Sequence, residues 1–406
     1  MQLINGITAT AIFLSLSLID SSAITSFSFA NAVKSSKYAY QKMADTSGSF
    51  NSFRLPVINN AGTVAFDANT DTASGAYTST GKTITTIAEN VGLYESIGNP
   101  IAINDRGTVA FVATPARGTT TTEQPTETIF TSTNGRVTQV PSYKPSPESG
   151  SPYYDRIVSL ALNNRGTIAY VGQNMRGIGV LSSDGRLIAE ANDARLSTVD
   201  SADINDRGTV VYRSQNGFEF KILANEGTII KTLTSTTYPL YVMAPKNGAF
   251  SASLNNRGTV AFVALEAQPL DEYTAQFNPA KAAILKSNGT KITTVADTSG
   301  AYSSFSSGSS FDFAAVPPAI NDRGTVAFFA QLDAGGEGIF TGSDPVKHKV
   351  IATGDSLFGY TVQSVALSSD GINDFGQITF IARLANGTEV IIRADPLGTG
   401  CNCFVK

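Results

Sequence analysis

The amino-acid sequence predicts an all-β fold, a seven-bladed β-propeller with four antiparallel strands per blade, and three observations predict it. A turn-and-strand signature recurs seven times along 406 residues. Further strand-like segments surround each copy. The two chain ends hold complementary parts of one incomplete unit.

The signatures are INNAGTVAFDA at 58–68, INDRGTVAFVA at 103–113, LNNRGTIAYVG at 162–172 and INDRGTVVYRS at 204–214. LNNRGTVAFVA at 254–264, INDRGTVAFFA at 320–330 and INDFGQITFIA at 372–382 complete the set. Their mean spacing of about 52 residues falls in the range of propeller repeats. In each copy an Asn and a Gly bracket a turn. The pairs are Asn59 and Gly62, Asn104 and Gly107, Asn163 and Gly166, and Asn205 and Gly208. Asn255 and Gly258, Asn321 and Gly324, and Asn373 and Gly376 follow. The Asn side chain accepts a backbone hydrogen bond two residues on, as an Asx-turn. The Gly takes the left-handed conformation that closes a bulged hairpin. Backbone geometry explains both residues without a ligand. The Thr-Val-Ala-Phe-Val-Ala run that follows has the content of a strand buried on both faces.

Residues 250–297 show the whole unit as FSASL, TVAFVAL, AAILKSN and KITTVAD. The last two meet at Asn288-Gly289, a tight-hairpin signal. The same junction recurs at Thr80-Gly81, Asn134-Gly135, Asp184-Gly185 and Glu226-Gly227. The seventh unit has QSVALSS, QITFIARL and EVIIRAD but no fourth strand, and YAYQKMADTSG at 38–48 reads as the missing one. The N-terminal strand is thus expected to complete the last blade, which removes two open sheet edges.

Outside the repeats, residues 1–32 read as a signal peptide. GITATAIFLSLSLI at 6–19 is an apolar run of signal length, and Ser28 to Ala32 supply small residues for cleavage, although no Lys or Arg precedes the run. The propeller is expected over 33–395 and a tail over 396–406 carrying Cys401 and Cys403. No later stretch is long and apolar enough to span a membrane. The expectation is a monomer, secreted or held in the cell envelope. Composition narrows the function classes. Charged residues make up 15% of the chain, and 29 Lys and Arg against 33 Asp and Glu leave a net charge of −4. That balance argues against a general nucleic-acid binder. A single histidine, His348, removes every multi-His metal site. No cofactor is expected, Ca²⁺ being the one ion the acidic residues below would suit.

The Asn-x-x-Gly-x5-Ala pattern resembles the bacterial exported family named for tandem NxxGxxxxxA repeats, over roughly residues 38–395. Ala68, Ala113, Ala264, Ala330 and Ala382 hold its last position, and Gly172 and Ser214 depart from it with small side chains. The resemblance implies an exported propeller of unassigned activity and supplies no catalytic residue.

Strand order separates two faces. The signature turns share one face with the Asn-Gly hairpins, and the longer connections lie opposite, where functional loops tend to sit. Those connections carry Tyr143, Tyr153, Tyr154, Tyr238, Tyr241, Tyr302 and Phe305. They read as platforms for a sugar or protein partner, or as pins holding loops onto blades. Asp45, Glu89, Asp193, Asp297 and Asp355 recur where fourth strands exit. Converging at the channel mouth they would coordinate Ca²⁺ or form a glycoside acid–base pair, and otherwise they cap strand ends. Arg106, Arg165, Arg207, Arg257 and Arg323 hold one turn position in five copies, with Ala61 and Phe375 in the other two. Such a ring could grip an acidic polymer, or be solvated tips paired with Asx neighbours. His348 sits beside an outer turn, badly placed for a Ser-His-Asp triad. The leading expectation is a binding protein using the long-loop face for a glycan or protein partner. A carbohydrate-active hydrolase or lyase with Asp/Glu chemistry at the channel mouth is the second reading, and a structural envelope component the third.

Overall fold

The computed structural model describes residues 37–116, 126–141, 156–174, 177–191, 197–216, 219–226, 229–234, 240–241, 252–269, 275–305 and 317–398. Among them no helix is long and apolar enough to cross a membrane, and the regular structure is β-strand throughout. Successive strand residues point to opposite sheet faces, so each Val-Ala-Phe run sends Val and Phe toward one neighbouring blade and Ala toward the other. Phe66, with 0% exposure, packs in the wedge shared with the preceding blade, and Ala65, also at 0%, in the wedge shared with the next.

Seven antiparallel sheets result, numbered here as blades in the order of their signatures. Blade 2 shows the plan: Tyr94–Ile103 lines the channel, followed outward by Val109–Pro115, Thr128–Thr133 and Arg136–Gln139. The inner strand is split in blades 1, 5 and 6. The apolar core is divided in the same way, into seven clusters, each drawn from two adjacent blades. Blades 1, 2 and 6 repeat an aromatic triad under the long-loop end. Its members are Phe50, Phe66 and Tyr77, then Tyr94, Phe111 and Phe130, then Tyr302, Phe328 and Phe340.

The closing blade is built from both chain ends. Tyr360–Ala366, Ile378–Leu384 and Glu389–Pro396 come from the C-terminal side, and Tyr38–Asp45 is the outer strand. Tyr38 lies opposite Pro396 and Asp45 opposite Val390, with a bulge between Lys42 and Ala44. Past the strand, Thr46 N donates to Glu389 O and Glu389 N to Thr46 Oγ1, both at 3.0 Å. Met43 and Ala44 fill the wedge between blades 7 and 1. The seven-bladed, strand-closed architecture expected from the sequence is the one observed.

Candidate functional site

The site is assembled from the seven signature turns. In each turn the Asn Oδ1 accepts the backbone N–H four residues on, at 2.9–3.1 Å. The glycine three residues after the Asn is left-handed, as at Gly107 with φ +75°. These bonds use the oxygen of the carboxamide and leave its nitrogen pointing toward the next blade. Asn59 Nδ2 donates to Asn104 O, Asn104 to Asn163, Asn163 to Asn205 and Asn205 to Asn255. Asn255 donates to Asn321, Asn321 to Asn373, and Asn373 back to Asn59 O. The seven buried carboxamides form a closed collar around the channel.

A second ring lies on top of the first. The residue after each Asn is itself Asn or Asp: Asn60, Asp105, Asn164, Asp206, Asn256, Asp322 and Asp374. The backbone N–H of each donates to the Oδ1 of the corresponding residue in the next blade, at 2.6–2.8 Å. Each Asn amide nitrogen also bridges the Oδ2 atoms of its two Asp neighbours. Asp322 and Asp374 are adjacent carboxylates with no amide between them, at a seam between blades 6 and 7.

Outside this double ring the turn tips carry Arg106, Arg165, Arg207, Arg257 and Arg323, all exposed. Among the described residues no carboxylate holds any of the five guanidiniums. They belong to blades 2 to 6 and therefore form one uninterrupted arc. Blades 7 and 1 break it with Phe375, 60% exposed, and Ala61.

The rings open onto a channel cavity of about 150 Å³. Below the collar it is lined by Asp203, Ser253 and Asp370. Both Asp203 oxygens accept backbone N–H groups, Oδ1 from Ile204 at 2.7 Å and Oδ2 from Leu254 at 2.6 Å. Burial and the nearby Asp370 carboxylate push Asp203 well above the ordinary carboxylate range, and burial pushes Asp370 up to about 6.

Of the two readings of the fourth-strand acids, convergence at the channel mouth or caps of strand ends, Asp45, Asp297 and Asp355 follow the second. Asp45 and Asp297 end the outermost strands of blades 7 and 5, and Asp355 follows that of blade 6, as far from the axis as a blade allows. There they cap turns. Asp297 Oδ1 accepts Ser299 N at 3.0 Å, Asp45 Oδ1 accepts Ser47 N at 3.0 Å, and Asp355 Oδ2 accepts Ala352 N at 2.9 Å. Glu89 Oε1 accepts a hydrogen bond from the Tyr77 hydroxyl at 2.9 Å. Asp193 lies outside the described residues. Among the described residues no group of three or more His, Cys, Asp or Glu side chains is arranged to hold a metal ion.

Tyr302 and Phe305 likewise follow the second of the two readings of the aromatics, as pins. Tyr302 and Phe305 are each 1% exposed and pack on each other and on Phe328, and the Tyr302 hydroxyl donates to Gly342 O at 2.7 Å. Their rings pin the chain to blade 6 and present no face to a ligand. Tyr143, Tyr153, Tyr154 and Tyr238 lie outside the described residues, and Tyr241 falls on the short strand Leu240–Tyr241. Among the described residues, the exposed aromatics on that face are Phe358 and Tyr360, at 39% and 47%, in a tight hairpin where Phe358 has φ +52°. His348 is exposed in the outer turn of blade 6, where its Nδ1 accepts Asp344 N at 3.2 Å.

Fold and site define a seven-bladed β-propeller whose channel is collared by interlocked Asx turns. The chain belongs to a family of unknown function, DUF7453, whose model matches residues 38–237 and again 196–390. No curated protein matches it. Among solved structures it is similar to the virginiamycin B lyase of Staphylococcus aureus, at 13% identity over 88% of this chain and 99% of that one, with a TM-score of 0.44. It is also similar to the acylaminoacyl peptidase of Pyrococcus horikoshii, at 11% identity over 85% of this chain and 52% of that one, with a TM-score of 0.45. The Pan2 WD40 domain of Neurospora crassa gives 10% identity over 88% and 96%, with a TM-score of 0.37.

Proposed function

We propose that this chain is a binding propeller that takes an anionic partner on the face of its signature turns. One observation carries the reading: five guanidiniums that no carboxylate among the described residues holds stand in consecutive blades on a hydrogen-bonded collar. Planar guanidiniums pair bidentately with carboxylate, sulfate or phosphate groups, and a fixed base lowers the ordering cost of doing so. The partner face proposed is therefore the one opposite the long loops. The channel gives less support to a hydrolase or lyase. Its volume of about 150 Å³ falls below the ~300–1,000 Å³ of small-molecule sites. Asp203 is also already committed to two backbone donors. The apolar run at 6–19 supports a place outside the cytoplasm, which N-terminal sequencing of the mature chain would check.

The binding test is retention on immobilised dextran sulfate in low salt. The wild-type chain is expected to bind and to elute as salt screens the contacts. The triple variant Arg165→Ala/Arg207→Ala/Arg257→Ala should elute at clearly lower salt, whereas Arg186→Ala, at an outer hairpin, should elute with the wild type. Flow-through of the wild-type chain at low salt would refute the proposal.

A further inference from the structure

The turn face is basic at its tips and acidic at its centre. Arginine only donates hydrogen bonds, and an ionised carboxylate only accepts them, with about four lone-pair sites over two oxygens. Asp105 and Asp206 each already accept three hydrogen bonds within the ring. Asp322 and Asp374 each accept two. Spare acceptor capacity is therefore greatest at the seam between blades 6 and 7. The two neighbours of that seam differ from every other pair around the ring. Arg323, the end of the cationic arc, follows Asp322, and the exposed Phe375 follows Asp374.

A partner carrying only negative charge would satisfy the arc and be repelled by the four carboxylates inside it. One that carries both anionic groups and hydroxyls satisfies both. Its hydroxyls donate to the carboxylates while its anionic groups pair with the guanidiniums. An aromatic ring beside the hydroxyl acceptors suits the apolar C–H face of a sugar. Resting on the anionic-partner reading above, we infer that the ligand is an acidic oligosaccharide. Its terminal sugar sits on Phe375 with hydroxyls toward Asp322 and Asp374, and its carboxylates run along Arg323, Arg257, Arg207, Arg165 and Arg106.

The test is calorimetric titration of the full chain with four probes: hexameric oligomannuronate, an oligoacrylate of six carboxylates, neutral mannohexaose and oligothymidylate with six phosphates. Oligomannuronate is expected to bind at least tenfold more tightly than oligoacrylate, and mannohexaose not measurably. Phe375→Ala, at an exposed position, should cut oligomannuronate affinity at least fivefold, leaving oligoacrylate affinity and thermal stability unchanged. Arg257→Ala should weaken both polyanions. Equal affinity for uronate and acrylate, with no effect of Phe375→Ala, would overturn the sugar assignment and leave the anionic reading standing. Tighter binding of oligothymidylate would replace the sugar by a nucleic acid. Failure of all three polyanions to bind would overturn both readings.

Discussion

Both polar atoms of the Asn163 carboxamide have backbone partners. Oδ1 accepts Arg165 N at 3.0 Å and Thr167 N at 2.9 Å, and Nδ2 donates to Asn205 O at 3.0 Å. Aspartate has nearly the same shape but no donor, so it would set a carboxylate oxygen against a carbonyl at a site 3% exposed. Asn163→Asp is therefore expected to cost about 3 kcal/mol, the scale of a buried charge left without its partner. Urea unfolding of the two chains measures it, and an unchanged midpoint would show that the collar is dispensable. Asp67 makes the opposite case. It is 4% exposed, and neither carboxylate oxygen has a hydrogen-bond partner. The same strand position holds Val112, Val171 and Val263 in other blades. Asp67→Val should stabilise the protein by about 2 kcal/mol at pH 8, in line with apolar replacement of buried charges.

At the scale of the strand, the N-terminal segment is held by a full ladder to Glu389–Pro396 and by burial of Met43 and Ala44. Removing residues 37–48 would bare the edge of Glu389–Pro396 and open the wedge beside blade 1. The truncated chain is expected to be insoluble or oligomeric by light scattering, and a monomer with unchanged melting temperature would contradict the closure. This element was readable from the sequence because a missing strand at one end and a spare one at the other are both local patterns. The turns were half readable. An Asn bonding to its own turn is a short-range event, but the Nδ2 bonds join residues 42 to 66 positions apart, and 314 at the closure. Nothing within a single copy shows them. The invariably Asn-or-Asp second position was visible as a pattern, yet its meaning depends on the copies being placed side by side. For the acids at the fourth-strand exits the sequence leaves channel mouth and strand-end cap both open, because it gives the end of a strand but not its distance from the axis.

Taken as a whole, the molecule contains several carboxyls that resist ionisation. Burial pushes Asp67 up to about 7 and Asp370 up to about 6, and raises Asp203 and Glu337 as well. Each is near 4 in the unfolded chain, so at these four carboxyls the folded state binds more protons than the unfolded one between about pH 4 and 7. The stability these groups confer is complete below about pH 4 and is lost as pH rises through the folded values. Melting temperature should accordingly fall between pH 5 and pH 8, and the fall should be shallower in Asp67→Val. A curve rising over that interval would show that other groups dominate.

The Asx ring has one further property, and it follows from arithmetic. Two kinds of residue can alternate without fault around a closed loop only if the loop has an even number of places. Asn60, Asp105, Asn164, Asp206, Asn256 and Asp322 alternate, and the seventh place must repeat a neighbour. A six- or eight-bladed relative of this collar could be faultless, and its blades would then be hard to tell apart. Here the fault gives an almost symmetric wheel an origin, from which every blade has its own position.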